Sequence, residues 1–245
     1  MTLEAALPDL AALLRRRGAH LAEALDVETA RARAATSAAI AEAFPAFEFL
    51  RDTVLGRIDG RLDDGVSRDL LDRLVADGIL TPGPRPIVLL ADAERYVRGG
   101  WLEEHIGLSA LAAGADEVRI GQQIDWTARG FRGENEIDTI ARFGERLVFV
   151  SAKAMRSRLA RHDARHRERL MAALQEADNL VDHFGDPSSA VALVVTTDLW
   201  DEARRSSRYE QLHGKAAALG VTLVTLETVA RHNLVETLGR LGRAR

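Results

Sequence analysis

The spacing of apolar positions predicts helices through the first quarter of the chain. Leucines and alanines recur at helical intervals in "LEAALPDLAALLRRRGAHLAEAL" and "VETARARAATSAAIAEAF", and Pro45 interrupts the pattern. "AFEFLRDTVLGRIDGRL" then forms another amphipathic segment. We expect residues 1–66 to form a helical N-terminal region for docking or dimerisation.

The next segment changes character at residue 67. "SRDLLDRLVADGIL" begins with a serine suited to cap a helix and ends near Gly78, "TPGPRP" indicates a turn, and "IVLL" indicates a short strand. This order predicts a small winged-helix-like unit over residues 67–97. Since the unit has no basic recognition helix, we expect it to pack against the rest of the chain rather than to bind DNA.

From residue 98 the pattern alternates between helices and strands. "GGWLEEHIGLSALAAG" predicts a helix, and "DEVRIGQQI", "ENEIDTIARF" and "RLVFVSAKA" predict three strands, with the turn "ARGFRGEN" before the second and "FGER" before the third. "RHRERLMAALQEADNLVDHFG" is a long amphipathic helix, "AVALVVTT" a buried strand, "SSRYEQLHGKAAALG" a helix and "VTLVTLE" a final strand. The order α-β-β-β-α-β-α-β over residues 98–245 predicts an α/β fold with a mixed central sheet.

Composition narrows the chemistry. The chain has 245 residues, a net charge of −4 and no cysteine, which excludes disulfides, zinc–thiolate sites and a thiol nucleophile. The absence of a signal-peptide pattern and of a long apolar run predicts a cytoplasmic protein without membrane contact. The near-neutral charge means that any nucleic-acid contact must be local.

Lysine is unusually scarce. The chain has only two lysines, Lys153 and Lys215, and its other basic side chains are arginine. Lys153 follows the apolar run "LVFV", at the predicted end of a strand. A lysine kept at such a position suggests a site that needs a compact ammonium group rather than a planar guanidinium.

Two predicted strands place acids near this lysine. Glu136 and Asp138 alternate along one strand, and Ser151 and Lys153 along the next, so a hairpin across "FGER" brings Asp138 near Lys153. A carboxylate that binds Mg²⁺ or Mn²⁺ beside a lysine that orients water or stabilises charge suits phosphodiester hydrolysis. The alternative from spacing alone is a structural ion pair at the end of the sheet.

The order of elements and the pieces "GGWLEEHI", "NEIDTI" and "LVFVSAKA" resemble the PD-(D/E)XK nuclease superfamily, and within it the nuclease half of CRISPR-associated nucleases that carry a cyclic-oligoadenylate-sensing CARF domain. The resemblance covers about residues 67–228. It implies a restriction-endonuclease-like core and a metal-dependent nuclease of antiviral defence. Residues 1–66 are too few and too helical for the family's sensor, so we expect no CARF domain here.

The resemblance assigns roles to particular residues. Asp138 corresponds to the main metal-binding aspartate, Lys153 to the catalytic lysine and Glu103 to the helix acid near the metal. Ser151 stands where the family has a glutamate ligand. Some restriction endonucleases of this superfamily have Ser-x-Lys here and take the acid from the next helix, which makes Glu168, 15 residues after Lys153, the candidate. Other possible donors are Glu136 and Glu104.

Two interpretations stay open. In one, a relocated acid completes an active DNA or RNA nuclease that works as a homodimer or as a subunit of a larger complex. In the other, the site is inactive and the chain is a nucleic-acid-binding or scaffolding subunit. Candidate contacts to phosphates are Arg129, Arg132, Arg156, Arg158, Arg161 and Arg165.

The segment "HDARH" allows a weaker, separate hypothesis. His162 and His166 have the i, i+4 spacing of zinc-binding helices, with Asp163 in place of the usual glutamate. Because no third ligand is evident, we expect these histidines to face solvent or phosphate. Trp101 and Trp126 are expected to anchor the core, with base stacking as the lesser alternative.

Overall fold

The computed structural model describes residues 7–59, 66–81, 88–128 and 130–244. The first half of the chain is mainly helical. Its elements are α1 (Leu10–Arg15), β1 (Ala19–Leu21), α2 (Val27–Ala32), α3 (Ala34–Glu42), α4 (Phe44–Val54) and α5 (Arg68–Ala76).

The second half alternates helices and strands. Its elements are α6 (Trp101–Ala112), β2 (Glu117–Ala128), β3 (Phe131–Phe143), β4 (Arg146–Lys153), α7 (Ala164–Phe184), β5 (Ala190–Val195), β6 (Trp200–Asp201), β7 (Ser206–Ser207), α8 (Glu210–Leu219), β8 (Val221–Val224) and α9 (Arg231–Arg243). The predicted order of the main helices and strands is confirmed, and β6 and β7 form a small extra hairpin.

A six-stranded mixed sheet lies at the centre, in the order β1-β2-β3-β4-β5-β8. Strands β1 to β4 pair antiparallel, whereas β4, β5 and β8 pair parallel. The turn predicted at "FGER" is present, since Phe143 pairs with Arg146 and Gly144 adopts a left-handed φ of 62°. The predicted α/β class with a mixed central sheet is therefore confirmed.

Helices cover both faces of this sheet. Side chains alternate along β4, so that Val148 and Val150 face the core shared with α6 and α9, and Leu147 and Phe149 face the core shared with α7. The continuous apolar run of β4 is thus explained by burial on both faces. Ser151 and Lys153 continue the alternation on the α7 side.

The N-terminal region differs from the all-helical prediction. Residues Ala19–Leu21 form an edge strand on β2, and Gly18, with a φ of 73°, makes the turn between α1 and this strand. A Cβ at Gly18 would lie 3.0 Å from the backbone oxygen of Thr127, so the close approach of the two segments favours glycine. Helical spacing over the flanking leucines concealed this short strand.

The N-terminal helices also share a core with the rest of the chain. Trp101, at the start of α6, is fully buried, as expected for a core anchor. Its ring stacks on Phe44 at 5.5 Å and meets Phe47 edge-on at 5.9 Å. Part of the apolar surface assigned to docking is therefore used within the chain. The proposed boundaries at residues 66 and 97 stay predictions.

Several other elements also differ from their predicted bounds. Strands β2 and β3 run almost to the tip of their hairpin, where a longer turn was predicted at "ARGFRGEN". The C-terminal helix α9 was not predicted, although Leu234 and Leu238 follow helical spacing and are buried. In the winged-helix-like segment, Leu80 and Leu89 form a single β-bridge. The predicted turn at residues 81–86 lies mostly outside the described residues.

Candidate active site

The site begins where strands β3 and β4 separate. Their pairing ends at Thr139 and Val150, one step before Asp138 and Ser151. Beyond this point the Asp138 side chain takes the place of the backbone hydrogen bonds between the two strands. Its Oδ2 accepts hydrogen bonds from the Ala152 N–H at 2.7 Å and from the Ser151 hydroxyl at 3.3 Å. Ser151 therefore helps to orient the aspartate.

Asp138 and Lys153 line the same pocket. The pocket has a volume of about 330 Å³ and lies between the middle of β3, the end of β4 and the C-terminal half of α7. Ser151, Glu136 and Glu176 also line it. The hairpin geometry expected from the sequence therefore brings the predicted aspartate and lysine to one side of the sheet.

The acid that α7 contributes to this pocket is Glu176. Its Oε2 lies 3.2 Å from the Lys153 Nζ, and both side chains have solvent access. Glu168, the acid expected from the rearranged motif, is exposed and is not among the residues that line the pocket. Eight residues of α-helix separate the two glutamates by about 12 Å. The α7 acid beside Lys153 is therefore Glu176, two turns after the predicted Glu168.

Glu103 lies in the first turn of α6 and shares Arg95 with Glu136. Burial raises the pKa of the Glu103 carboxyl to about 7, Arg95 opposes this rise, and the charges of Asp138 and Glu136 add to it. The Arg95 Nη2 lies 2.6 Å from Glu103 Oε2 and 3.3 Å from Glu136 Oε1. Three acids from two elements thus share one small region.

The pKa of Asp138 is also shifted by opposing effects. Burial raises the pKa of its carboxyl, and the Ala152 N–H, the Lys153 charge and the Ser151 hydroxyl partly offset the rise. Buried carboxylates that repel one another favour either protonation or a nearby cation. Such perturbed groups are typical of functional sites.

We expect the metal-free protein to lose stability as pH rises through the titration of Glu103. The pKa of this carboxyl is about 7 in the folded protein against an ordinary 4.5. Between pH 4.5 and 7 the folded protein therefore binds a proton that the unfolded chain has lost. The stabilisation from this proton is fully present below pH 4.5 and is lost as pH rises through 7. In EDTA, the unfolding free energy of the wild type should fall by about 1–3 kcal/mol relative to Glu103→Gln between pH 4 and 8. If the unfolding free energies of the two proteins, measured by urea denaturation, change equally with pH across this range, the assignment is wrong.

The donor set fits a hard divalent cation. Within the described residues, no three His, Cys, Asp or Glu side chains form a ready metal cluster. Mg²⁺, however, commonly uses one or two protein carboxylates and completes its coordination with water and substrate phosphate. Asp138 and Glu103 are the carboxylates that would hold it, and the charge of Asp138 raises the pKa of Glu103.

Glu104 is not available for this role. Its carboxylate is buried, does not line the pocket and forms a close ion pair with Arg33. Burial raises the pKa of Glu104, and the Arg33 charge opposes the rise. This acid fastens α6 to the N-terminal helices.

The candidate phosphate contacts lie on exposed surface. The side chains of Arg132, Arg156, Arg158, Arg161 and Arg165 are all exposed, and Arg129 lies outside the described residues. Arg156 pairs with Asp163 at 2.7 Å, which reduces its net charge. Arg132 lines a second groove of about 650 Å³ along the β2–β3 hairpin.

Trp126 connects this groove to the pocket, since it lines both. The indole lies over Gly133, where a Cβ would come within 2.5 Å of the ring, and its N–H donates to Asn135 at 2.7 Å. Phe131, 64% exposed, packs against it at the hairpin tip. Trp126 is therefore a half-buried wall of the pocket rather than a core anchor.

The histidine pair does not form a zinc site. Helix α7 begins at Ala164, after His162, so the two histidines do not share a helix face. His162 is exposed, whereas His166 is buried and its Nε2 lies 3.1 Å from the Thr197 hydroxyl. Asp163 caps α7 by accepting the His166 backbone N–H. The i, i+4 spacing here reflects a helix cap.

Comparison with known proteins supports the fold. No protein-family model and no curated protein sequence matches the chain. The crystal structure of VC1899 from Vibrio cholerae aligns with a TM-score of 0.66 and 17% identity, over 94% of this chain and 60% of that one. The structure of Can2 from Sulfobacillus thermosulfidooxidans in complex with cyclic tetra-adenylate aligns with a TM-score of 0.57 and 13% identity, over 93% and 61%.

These likenesses define the fold class, a mixed α/β architecture shared with VC1899 and Can2. The chain spans about three fifths of the length of either protein. No helix in the described ranges is both long and apolar enough to cross a bilayer.

Proposed function

We propose that the chain is a divalent-metal-dependent nuclease that hydrolyses phosphodiester bonds of DNA or RNA. The observation that carries this proposal is the shared pocket of Asp138 and Lys153 at the point where β3 and β4 separate. Glu103, which lies on α6 and outside the lining of this pocket, would supply the second carboxylate. The motif resemblance to PD-(D/E)XK nucleases agrees with this arrangement.

Each side chain has a separate role in the proposed reaction. Asp138 and Glu103 hold the ion, and the Ala152 N–H and the Ser151 hydroxyl fix the orientation of Asp138. When bound, Mg²⁺ or Mn²⁺ supplies Lewis-acid polarisation of the phosphoryl group. The Lys153 ammonium holds the attacking water or the phosphoryl oxygen and stabilises the charge that develops there.

The substrate strand has a route across the surface. Arg132 stands beside the groove that adjoins the pocket, and Arg158, Arg161 and Arg165 are exposed around the start of α7. Arginines on one side of a cleft can neutralise consecutive phosphates. We further propose a role in prokaryotic antiviral defence, in a cytoplasmic homodimer or a larger complex. This rests on the motif resemblance and on the fold shared with Can2, which was solved with cyclic tetra-adenylate.

A second candidate is an inactive subunit that binds nucleic acid or a partner. A serine hydroxyl at position 151 cannot replace a carboxylate as a ligand of Mg²⁺. The Glu103 carboxylate already forms an ion pair with Arg95. If this candidate is correct, the chain binds nucleic acid without cutting it.

Metal removal separates the two candidates. We expect the purified protein to cleave at least one of single-stranded DNA, duplex DNA, single-stranded RNA and duplex RNA in Mn²⁺, and to lose cleavage in EDTA because the phosphoryl group then lacks its Lewis acid. Glu168→Gln is a matched control on α7, outside the pocket. Binding without cleavage of any of the four would favour the inactive subunit.

A further inference from the structure

Arg95 occupies the place where a cation would neutralise the acids. A single nitrogen, Nη2, lies 2.6 Å from Glu103 Oε2 and 3.3 Å from Glu136 Oε1. The two glutamates come from α6 and β3, and both act electrostatically on Asp138 or are acted on by it. The guanidinium therefore compensates part of the negative charge that a divalent ion would otherwise compensate.

The backbone around Arg95 leaves room for this contact. A Cβ at Gly121 would lie 2.6 Å from Arg95 Nη2 and 3.5 Å from Glu103 Oε2. A Cβ at Gly100 would lie 3.2 Å from the Arg95 backbone oxygen and 3.5 Å from its Nη1. Any larger residue at position 121 would displace the guanidinium, so glycine on β2 preserves the space that the ion pair uses.

Arg95 is also the more exposed member of its ion pair with Glu103. Its side chain is 50% exposed, whereas that of Glu103 is only 14% exposed. A cavity of about 470 Å³ opens beside it, lined by Glu94, Arg98, Gly99 and Gly100 as well as by Arg95 and Glu103. Of the two partners, the arginine therefore has the freer access to solvent.

We propose that Arg95 is a built-in counter-ion that holds the acidic ligands in the metal-free protein and must leave Glu103 before a divalent cation binds. The inference rests on the proposed metal site and adds a regulatory contact to it. Metal affinity is then set by competition, because binding the ion includes breaking the arginine–carboxylate contact. The contact also keeps the acids neutralised when metal is scarce.

The test is Mn²⁺ binding to the metal-free full chain without nucleic acid, followed by calorimetry or by the electron paramagnetic resonance of free Mn²⁺. We expect Arg95→Gln to bind Mn²⁺ about tenfold more tightly than the wild type, which corresponds to the loss of one charge-assisted contact. Arg95→Lys keeps the charge but not the fork geometry, and should fall between the two.

Arg98→Gln is the matched control. It removes the same charge one turn away, where Arg98 pairs with Glu94 at 2.5 Å rather than with Glu103. Equal tightening in Arg95→Gln and Arg98→Gln would overturn the inference, since only the general field would then matter. So would an unchanged affinity in Arg95→Gln.

Asp138→Asn separates this inference from the proposed function. If Asp138→Asn loses Mn²⁺ affinity while Arg95→Gln matches the wild type, the metal site stands and the competing role of Arg95 fails. If the wild type and Asp138→Asn bind Mn²⁺ equally, both the metal site and the role of Arg95 fail. Circular dichroism of each variant verifies that the fold is kept.

Discussion

Asp138→Asn is expected to lower Mn²⁺-dependent cleavage by about 10³-fold, because it removes a charged ligand of the proposed ion; this corresponds to about 4 kcal/mol of barrier. The substitution is nearly isosteric. The Asn carbonyl oxygen can still accept the Ala152 N–H that bonds to Asp138 Oδ2 at 2.7 Å in the wild type. The site should therefore keep its shape while it loses its metal.

Stability measurements distinguish this role from a structural one. Burial raises the pKa of Asp138, which means that ionising the carboxylate costs folding free energy. The neutral Asn variant should therefore unfold at the same or a higher urea concentration than the wild type at pH 8 in EDTA. A structural ion pair between Asp138 and Lys153 predicts the opposite, a clear loss of stability.

Cleavage and stability together decide the outcome. Loss of cleavage with unchanged stability supports the metal site. Retained cleavage in Asp138→Asn would remove the site assignment, whatever the stability shows. Glu168→Gln, measured in parallel, controls for the loss of an acidic side chain outside the pocket.

The central fold was predictable because each main strand has a clear hydrophobic pattern in its own sequence. An apolar run such as "LVFV" has few alternatives once it is bounded by turns, and two-sided burial of β4 follows from its continuity. Two of the elements that were not predicted are a short strand, β1, and the C-terminal helix, α9. Strand β1 has three residues and depends on its partner β2 rather than on its own pattern. Helix α9 carried a usable pattern in Leu234 and Leu238.

The candidate site was predictable only where its members are close along the strands. Asp138 and Lys153 share a pocket because a two-residue turn fixes the register between β3 and β4. Glu176 is different, since its approach to Lys153 depends on how α7 packs across the sheet. Arg95 precedes the "GGW" motif and carries no motif of its own. Its contact with Glu136 appears only after α6 and β3 are placed together.

Lys153→Arg is the second variant with a large expected effect. Arginine is the usual basic residue of this chain, so the substitution tests why a lysine stands at this position. The Lys153 Nζ lies 3.2 Å from Glu176 Oε2 in a pocket of about 330 Å³. The guanidinium is larger, planar and directed by a fork of donors, so it cannot present a compact charge to water and phosphoryl oxygen alike.

We expect Lys153→Arg to lower the cleavage rate by about 10²–10³-fold, the range found when one electrostatic stabiliser of a transition state is removed. Lys153→Met should lose at least as much. Mn²⁺ affinity should stay near the wild-type value in both, in contrast to Asp138→Asn, because the ammonium acts on the reacting groups and not on the ion. Single-turnover rates at saturating Mn²⁺ measure this difference directly.

The pairing with Glu176 provides the matched control. Glu176→Gln removes the lysine's partner but leaves the ammonium in the pocket, so it should reduce the rate far less than Lys153→Arg does. If Lys153→Arg cleaves at the wild-type rate, the site needs only a positive charge, and the scarcity of lysine elsewhere in the chain has no bearing on position 153. If Lys153→Met also cleaves normally, charge stabilisation comes from another side chain, and Arg95, released from Glu103 as proposed above, is the cation to test next.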